Sequence, residues 1–90
     1  MKNRSRSEIV RSILEAASTS EGTTRTRLMY KSYLAYNQLK EYLRTLQENG
    51  LIDYAGGRRY RITEKGILLL QLHSKMEEIA PINYLNKKNT

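Results

Sequence analysis

Apolar side chains recur along this chain at two different periods, and the change of period divides it into elements. Ile9, Val10, Ile13, Leu14 and Ala17 follow one another at helical spacing. Ser5-Arg-Ser-Glu8 stands just before them with capping-box spacing, a hydroxyl for the free N–H groups and a glutamate to reach back. The pattern predicts a helix from about Arg6 to Ala17, broken by Ser18-Thr-Ser-Glu-Gly22, whose hydroxyl residues and glycine favour turns. Thr24 is placed to cap a short helix over Arg25 to Lys31, with Leu28 and Met29 inward. Ser32 to Ala35 then forms a turn. Leu39, Tyr42, Leu43 and Leu46 define one face of a further helix from about Tyr36 to Asn49, and Gly50 stands where a left-handed closing residue belongs. The opposite face of that helix is polar: Asn37, Gln38, Lys40, Glu41, Arg44, Thr45 and Glu48.

The period then shortens to two. Leu51 to Tyr54 and Arg58 to Ile62 read as strands around Gly56-Gly57, a tight hairpin that needs positive φ. In the second strand Tyr60 and Ile62 share one face and Arg59 and Arg61 the other. Thr63 caps a last helix over Glu64 to Ile79, which ends before Pro81 because a residue preceding proline avoids helical geometry. Around that helix Leu68, Leu69, Leu72, Met76 and Ile79 form one apolar stripe, while Ile67 and Leu70 lie on the other side. Two apolar faces on one helix exceed what a small domain covers by itself. One is expected to dock on the core and the other, Leu68 to Ile79, to meet a second copy of the chain. The alternative is a monomer in which Ile82, Tyr84 and Leu85 fold back over the spare stripe.

This order, three helices, a two-stranded β-wing and a fourth helix, predicts a mainly α, α+β winged helix-turn-helix. The expected division is 1–63 for the winged domain, 64–80 for the pairing helix and 81–90 for a frayed tail. Ninety residues leave little room for a second core.

Composition changes the picture mainly through charge. Sixteen Lys and Arg against nine Asp and Glu give a formal net charge of +7, which favours a polyanionic partner, with nucleic acid first. The absence of cysteine excludes disulfides, thiolate metal sites and a nucleophilic thiol. No apolar run is long enough for a signal peptide or for a membrane span, so a soluble, cytoplasmic protein is expected.

Candidate chemistry concentrates between residues 24 and 59. The major groove admits a helix, and Asn, Gln, Lys and Arg read base edges there. The start of the second helix of a helix-turn-helix enters that groove, which nominates Tyr36, Asn37, Gln38, Lys40 and Glu41 for base contact. Arg44, one turn on, is assigned to phosphate. Arg58 and Arg59 follow the hairpin turn, where cationic side chains reach phosphates or a minor groove. Thr24, Arg25 and Arg27 open the preceding helix, whose free N–H groups suit phosphate, and an arginine there opposes the helix dipole unless an anion lies outside. The plainer readings are a solvated helix face and charged residues that protect a strand edge. Lys2, Arg4 and Arg6 suggest a basic arm, and Tyr30 is assigned to packing the turn. The single histidine, His73, has no cysteine or carboxylate cluster around it and reads as a surface or interface residue. No phosphate-binding glycine loop or nucleophile motif occurs, so no catalytic residue, metal or cofactor is expected.

Thr26-Arg-Leu-Met-Tyr30, Leu34-Ala-Tyr-Asn-Gln-Leu39, Tyr42-Leu43 and Tyr60-Arg-Ile-Thr-Glu-Lys-Gly66 together resemble a family of small archaeal winged-helix proteins. The resemblance implies a DNA-binding protein, dimeric through its C-terminal helix, acting in transcription or chromosome organisation. It carries the reading role to residues 36–44 and the wing role to Arg58 and Arg59. Family members often have Ser where this chain has Ala35, and better-studied relatives have a longer last helix that forms an antiparallel coiled coil. The resulting expectation is a non-enzymatic, homodimeric transcriptional regulator on double-stranded DNA. The alternatives are a nucleoid packer and a protein- or RNA-interaction module of the transcription machinery.

Overall fold

The computed structural model describes residues 4–80. The four helices and the hairpin follow the expected order, with one short strand added before the second helix: α1 (Arg6–Ala16), β1 (Thr23–Thr24), α2 (Arg25–Ser32), α3 (Tyr36–Glu48), β2 (Ile52–Gly56), β3 (Arg59–Ile62) and α4 (Glu64–Ile79). Lys2 of the expected arm, the fold-back residues Ile82, Tyr84 and Leu85, and the tail 81–90 lie outside the described residues.

Local chemistry starts each helix where it was expected to start. Ser5 Oγ accepts the Glu8 N–H at 3.1 Å while Glu8 Oε1 accepts the Ser5 N–H at 3.0 Å, a closed capping box. Thr24 Oγ1 caps α2 by accepting the Arg27 N–H, and Thr63 Oγ1 caps α4 by accepting that of Gly66. Ala35 has no such group. There Gln38 Oε1 alone reaches back, accepting the Ala35 N–H at 3.0 Å. Ala35→Ser should therefore add the missing half of the box and stabilise the fold by about 1 kcal/mol, read as a rise of about 5 °C in Tm.

The core lies where the helices meet the sheet. Ile13, Leu28, Leu39 and Ile52 are fully buried, with Ala17, Leu43, Leu46 and Tyr60 around them. Tyr42 packs against this cluster from its edge.

Two features depart from the expected wing. The sheet has three antiparallel strands in the order β1-β3-β2, because the two residues before α2 pair with β3: Thr23 opposite Tyr60 and Thr24 opposite Arg59. Two residues are too short for any periodicity to announce. The second departure is the hairpin. Its turn residues are Gly57 and Arg58, both at positive φ (58° and 62°), as in mirror-image hairpin turns. Gly56 ends β2 at φ 85°, and a bulge at Ala55 lets Gly56 rather than Ala55 oppose Arg59.

α4 faces α1 with Leu69, Leu70 and His73, so Leu69 of the expected pairing stripe borders this contact, while Leu68, Leu72, Met76 and Ile79 are exposed in the protomer, as is Ile67 from the side expected to dock. His73 is half-buried at this contact, and both its ring nitrogens lack a hydrogen-bond partner among the described residues.

Candidate nucleic-acid interface

The start of α2, the start of α3 and the wing converge on one face, and Arg25 is the residue that joins them. Its guanidinium donates to Tyr36 Oη at 3.0 Å and to Tyr60 Oη at 3.4 Å, and lies 5.3 Å from the centre of the Tyr36 ring. The bond to Tyr60, and then the same hydroxyl's electrostatic attraction, hold Arg25 above its ordinary pKa. It is a fixed cation. With no acidic residue in its first turn, α2 presents free N–H groups and an arginine to the same space.

Tyrosines carry this arrangement outward to the wing tip. Tyr54 and Tyr60 face each other across the hairpin with ring centres 5.4 Å apart in an edge-to-face contact. The Tyr54 hydroxyl accepts the Arg58 backbone N–H at 3.0 Å, which ties the turn to its own strand. Arg58 thus lines a groove with Thr24, Arg25, Tyr36 and Tyr54. An adjoining groove runs along α3, lined by Arg25, Tyr36, Lys40, Glu41 and Arg44. Lys40 Nζ lies 6.0 Å from the Tyr36 ring centre on this side.

The structure therefore brings together Thr24, Arg25, Tyr36, Lys40, Glu41, Arg44 and Arg58. Asn37 and Gln38 are exposed on α3, with the Gln38 oxygen engaged in the helix cap. Glu41 and Arg44 form an exposed ion pair with each other. Two arginines are directed elsewhere. Arg59 donates to the Gly22 carbonyl at 3.2 Å, bracing the loop before β1. Arg27 lines a groove between α1 and α2 with Glu15 and Lys31.

Tyr30 is corrected. It does not pack the turn but is 76% exposed, because the core side of α2 is taken by Leu28 and Ser32. Arg4 does not belong to a free arm: it donates to the Ser32 carbonyl and lies over the Tyr33 ring at 5.6 Å. Tyr54 was missed as a member of this surface. Its signal was the pairing with Tyr60, which becomes readable only once the turn is placed at Gly57-Arg58 and the bulge at Ala55 shifts the register by one.

Arg58 is one of two non-glycine residues at positive φ among the described residues, the other being Tyr33. That conformation costs a side-chain-bearing residue about 1–2 kcal/mol. A glycine would fit Arg58's place without strain, so the position favours the cation over the geometry.

Among the described residues no group of three His, Cys, Asp or Glu side chains could hold a metal ion, and no helix is long and apolar enough to cross a membrane. A family model described as winged helix-turn-helix matches residues 3–81. No curated protein matches the chain.

Proposed function

Because the chain belongs to the winged helix-turn-helix family, whose members typically bind DNA without enzymatic activity, we propose that it is a transcriptional regulator binding duplex DNA as a homodimer. The observation that carries this reading is the convergence of Arg25, Lys40 and Arg58 with the two tyrosines Tyr36 and Tyr54 on one face. In this account the N-terminal part of α3 enters the major groove, while the start of α2 and the wing hold the flanking phosphates. The protein then resides with chromosomal DNA in the cytoplasm.

Arg58→Gly tests the wing's part. It removes the cation and relieves the positive-φ strain, so the fold should gain up to ~1 kcal/mol. Duplex affinity should fall uniformly across sequences, with the salt slope about two units flatter per dimer. Unchanged affinity in fluorescence anisotropy would remove the wing from the interface.

Pairing is supported by the exposed stripe on α4, where Leu72 is 60% and Ile79 78% exposed in the isolated protomer. Contiguous apolar area of this kind marks an interaction site. Two-fold pairing also places two reading helices on one DNA face. Leu72→Glu should give a folded monomer by analytical ultracentrifugation where the parent protein sediments as a dimer. A monomeric parent would refute the pairing.

A further inference from the structure

Which side chains of α3 are left to read bases is decided by the bonds they make within the protein. On a helix, residues seven apart return to within about 20° of the same direction. Asn37 and Arg44 therefore share one outward line, opposite the buried Leu39, Leu43 and Leu46. Tyr36 turns instead toward Arg25 and the groove beside the wing, with Lys40 against its ring, while Glu41 and Arg44 line the groove that runs along α3. Gln38 lies off the line, its oxygen held by the Ala35 N–H. Glu41, between Asn37 and Arg44, is bonded to the Arg44 guanidinium.

This pairing changes what Arg44 is suited to. A carboxylate beside a guanidinium repels phosphate and cancels the cation's long-range attraction. It also points the planar fork, leaving its remaining N–H donors for a neutral acceptor pair. Guanine offers such a pair in the major groove, N7 and O6 side by side, and adenine offers the N7 and N6 that match an asparagine amide.

We infer that Asn37 and Arg44 are the specificity-determining residues, Asn37 for adenine and Arg44 for guanine, with Glu41 a positioning residue that aims Arg44. The inference rests on the duplex-DNA reading above. The two side chains stand about 10 Å apart along the helix axis at 1.5 Å per residue. At about 3.4 Å per base along a strand, this sets the adenine and guanine about three base steps apart in each half-site.

The test is selection of duplexes from a randomised pool by the full-length protein, followed by affinity measurements on the enriched site. Adenine and guanine should emerge about three steps apart. Replacing that guanine by 7-deazaguanine, which keeps pairing but lacks the N7 acceptor, should weaken wild-type binding about tenfold and leave Arg44→Ala unaffected. Glu41→Ala should bind all duplexes more tightly, having lost a negative charge, yet discriminate guanine less. Glu41→Gln, which keeps an oxygen acceptor for Arg44, should restore part of the discrimination. A merely structural Glu41 would not raise affinity while lowering specificity. Salt-dependent binding with no enrichment, or a guanine preference that survives Arg44→Ala, would overturn the inference and leave the DNA reading standing. A pool that is not retained at all would overturn both.

Discussion

Raising salt from about 50 to about 200 mM is expected to weaken duplex binding by roughly four orders of magnitude. The cations that face the groove system set the size of this effect. Arg25, Lys40, Arg58 and the start of α2 provide for about four phosphates per protomer and eight per dimer, and counterion release then sets the slope of log K against log salt near −7. Because Arg25 is held by two tyrosine hydroxyls, little side-chain freedom remains to be lost when it meets a phosphate. An anisotropy titration at several salt concentrations measures the slope. A value near −3.5 would mean that one protomer binds alone, so that the pairing is wrong while the interface is right. A slope near zero would refute duplex binding through these residues.

The second large effect is on the fold. Gly66→Ala should destabilise the protein by about 3 kcal/mol, at the upper end for overpacking, and lower Tm by roughly 12 °C or more. Gly66 is buried in the first turn of α4, and a Cβ there would run into the Leu51 carbonyl oxygen and come within 2.6 Å of Ile62 Cγ1. The carbonyl cannot step aside freely, because it accepts the Thr63 N–H at 3.2 Å, the bond that joins the two ends of the β2–β3 hairpin. Alanine's better helix propensity, about 1 kcal/mol, returns only part of the loss. Gly56→Ala is the control: it has positive φ but nothing within 4 Å, so only local strain should appear. Thermal unfolding followed by circular dichroism distinguishes the two, and equal stability of Gly66→Ala and the parent would show that α4 does not pack as described.

The elements that were readable in advance are those governed by neighbours in the chain. The helices were announced by apolar residues three and four apart and by Ser5, Thr24 and Thr63 at their starts, and the side chains bond as their spacing requires. The left-handed residue after α3 was likewise foreseen, and Gly50 has φ 72°. What the local sequence does not announce has its partner far along the chain. Thr23 and Thr24 form a strand only because β3 is beside them, Arg4 is held by the Ser32 carbonyl, and Arg59 by that of Gly22. Tyr30 fits either role by composition, and its exposure depends on which face of α2 the core occupies.

The candidate interface divides in the same way. The residue types, their order and the net charge of +7 were present in the chain from the start and pointed to nucleic acid. Which cations share a face was decided only by folding, since Arg25, Tyr36, Tyr54, Arg58 and Tyr60 come from three separate segments. The physical reason is the range of the forces involved. Periodicity and capping are short-range and are written in adjacent residues. The clustering of Arg25 with the tyrosines depends on how the buried faces of α2, α3 and the sheet fit together, which no local stretch of sequence specifies by itself.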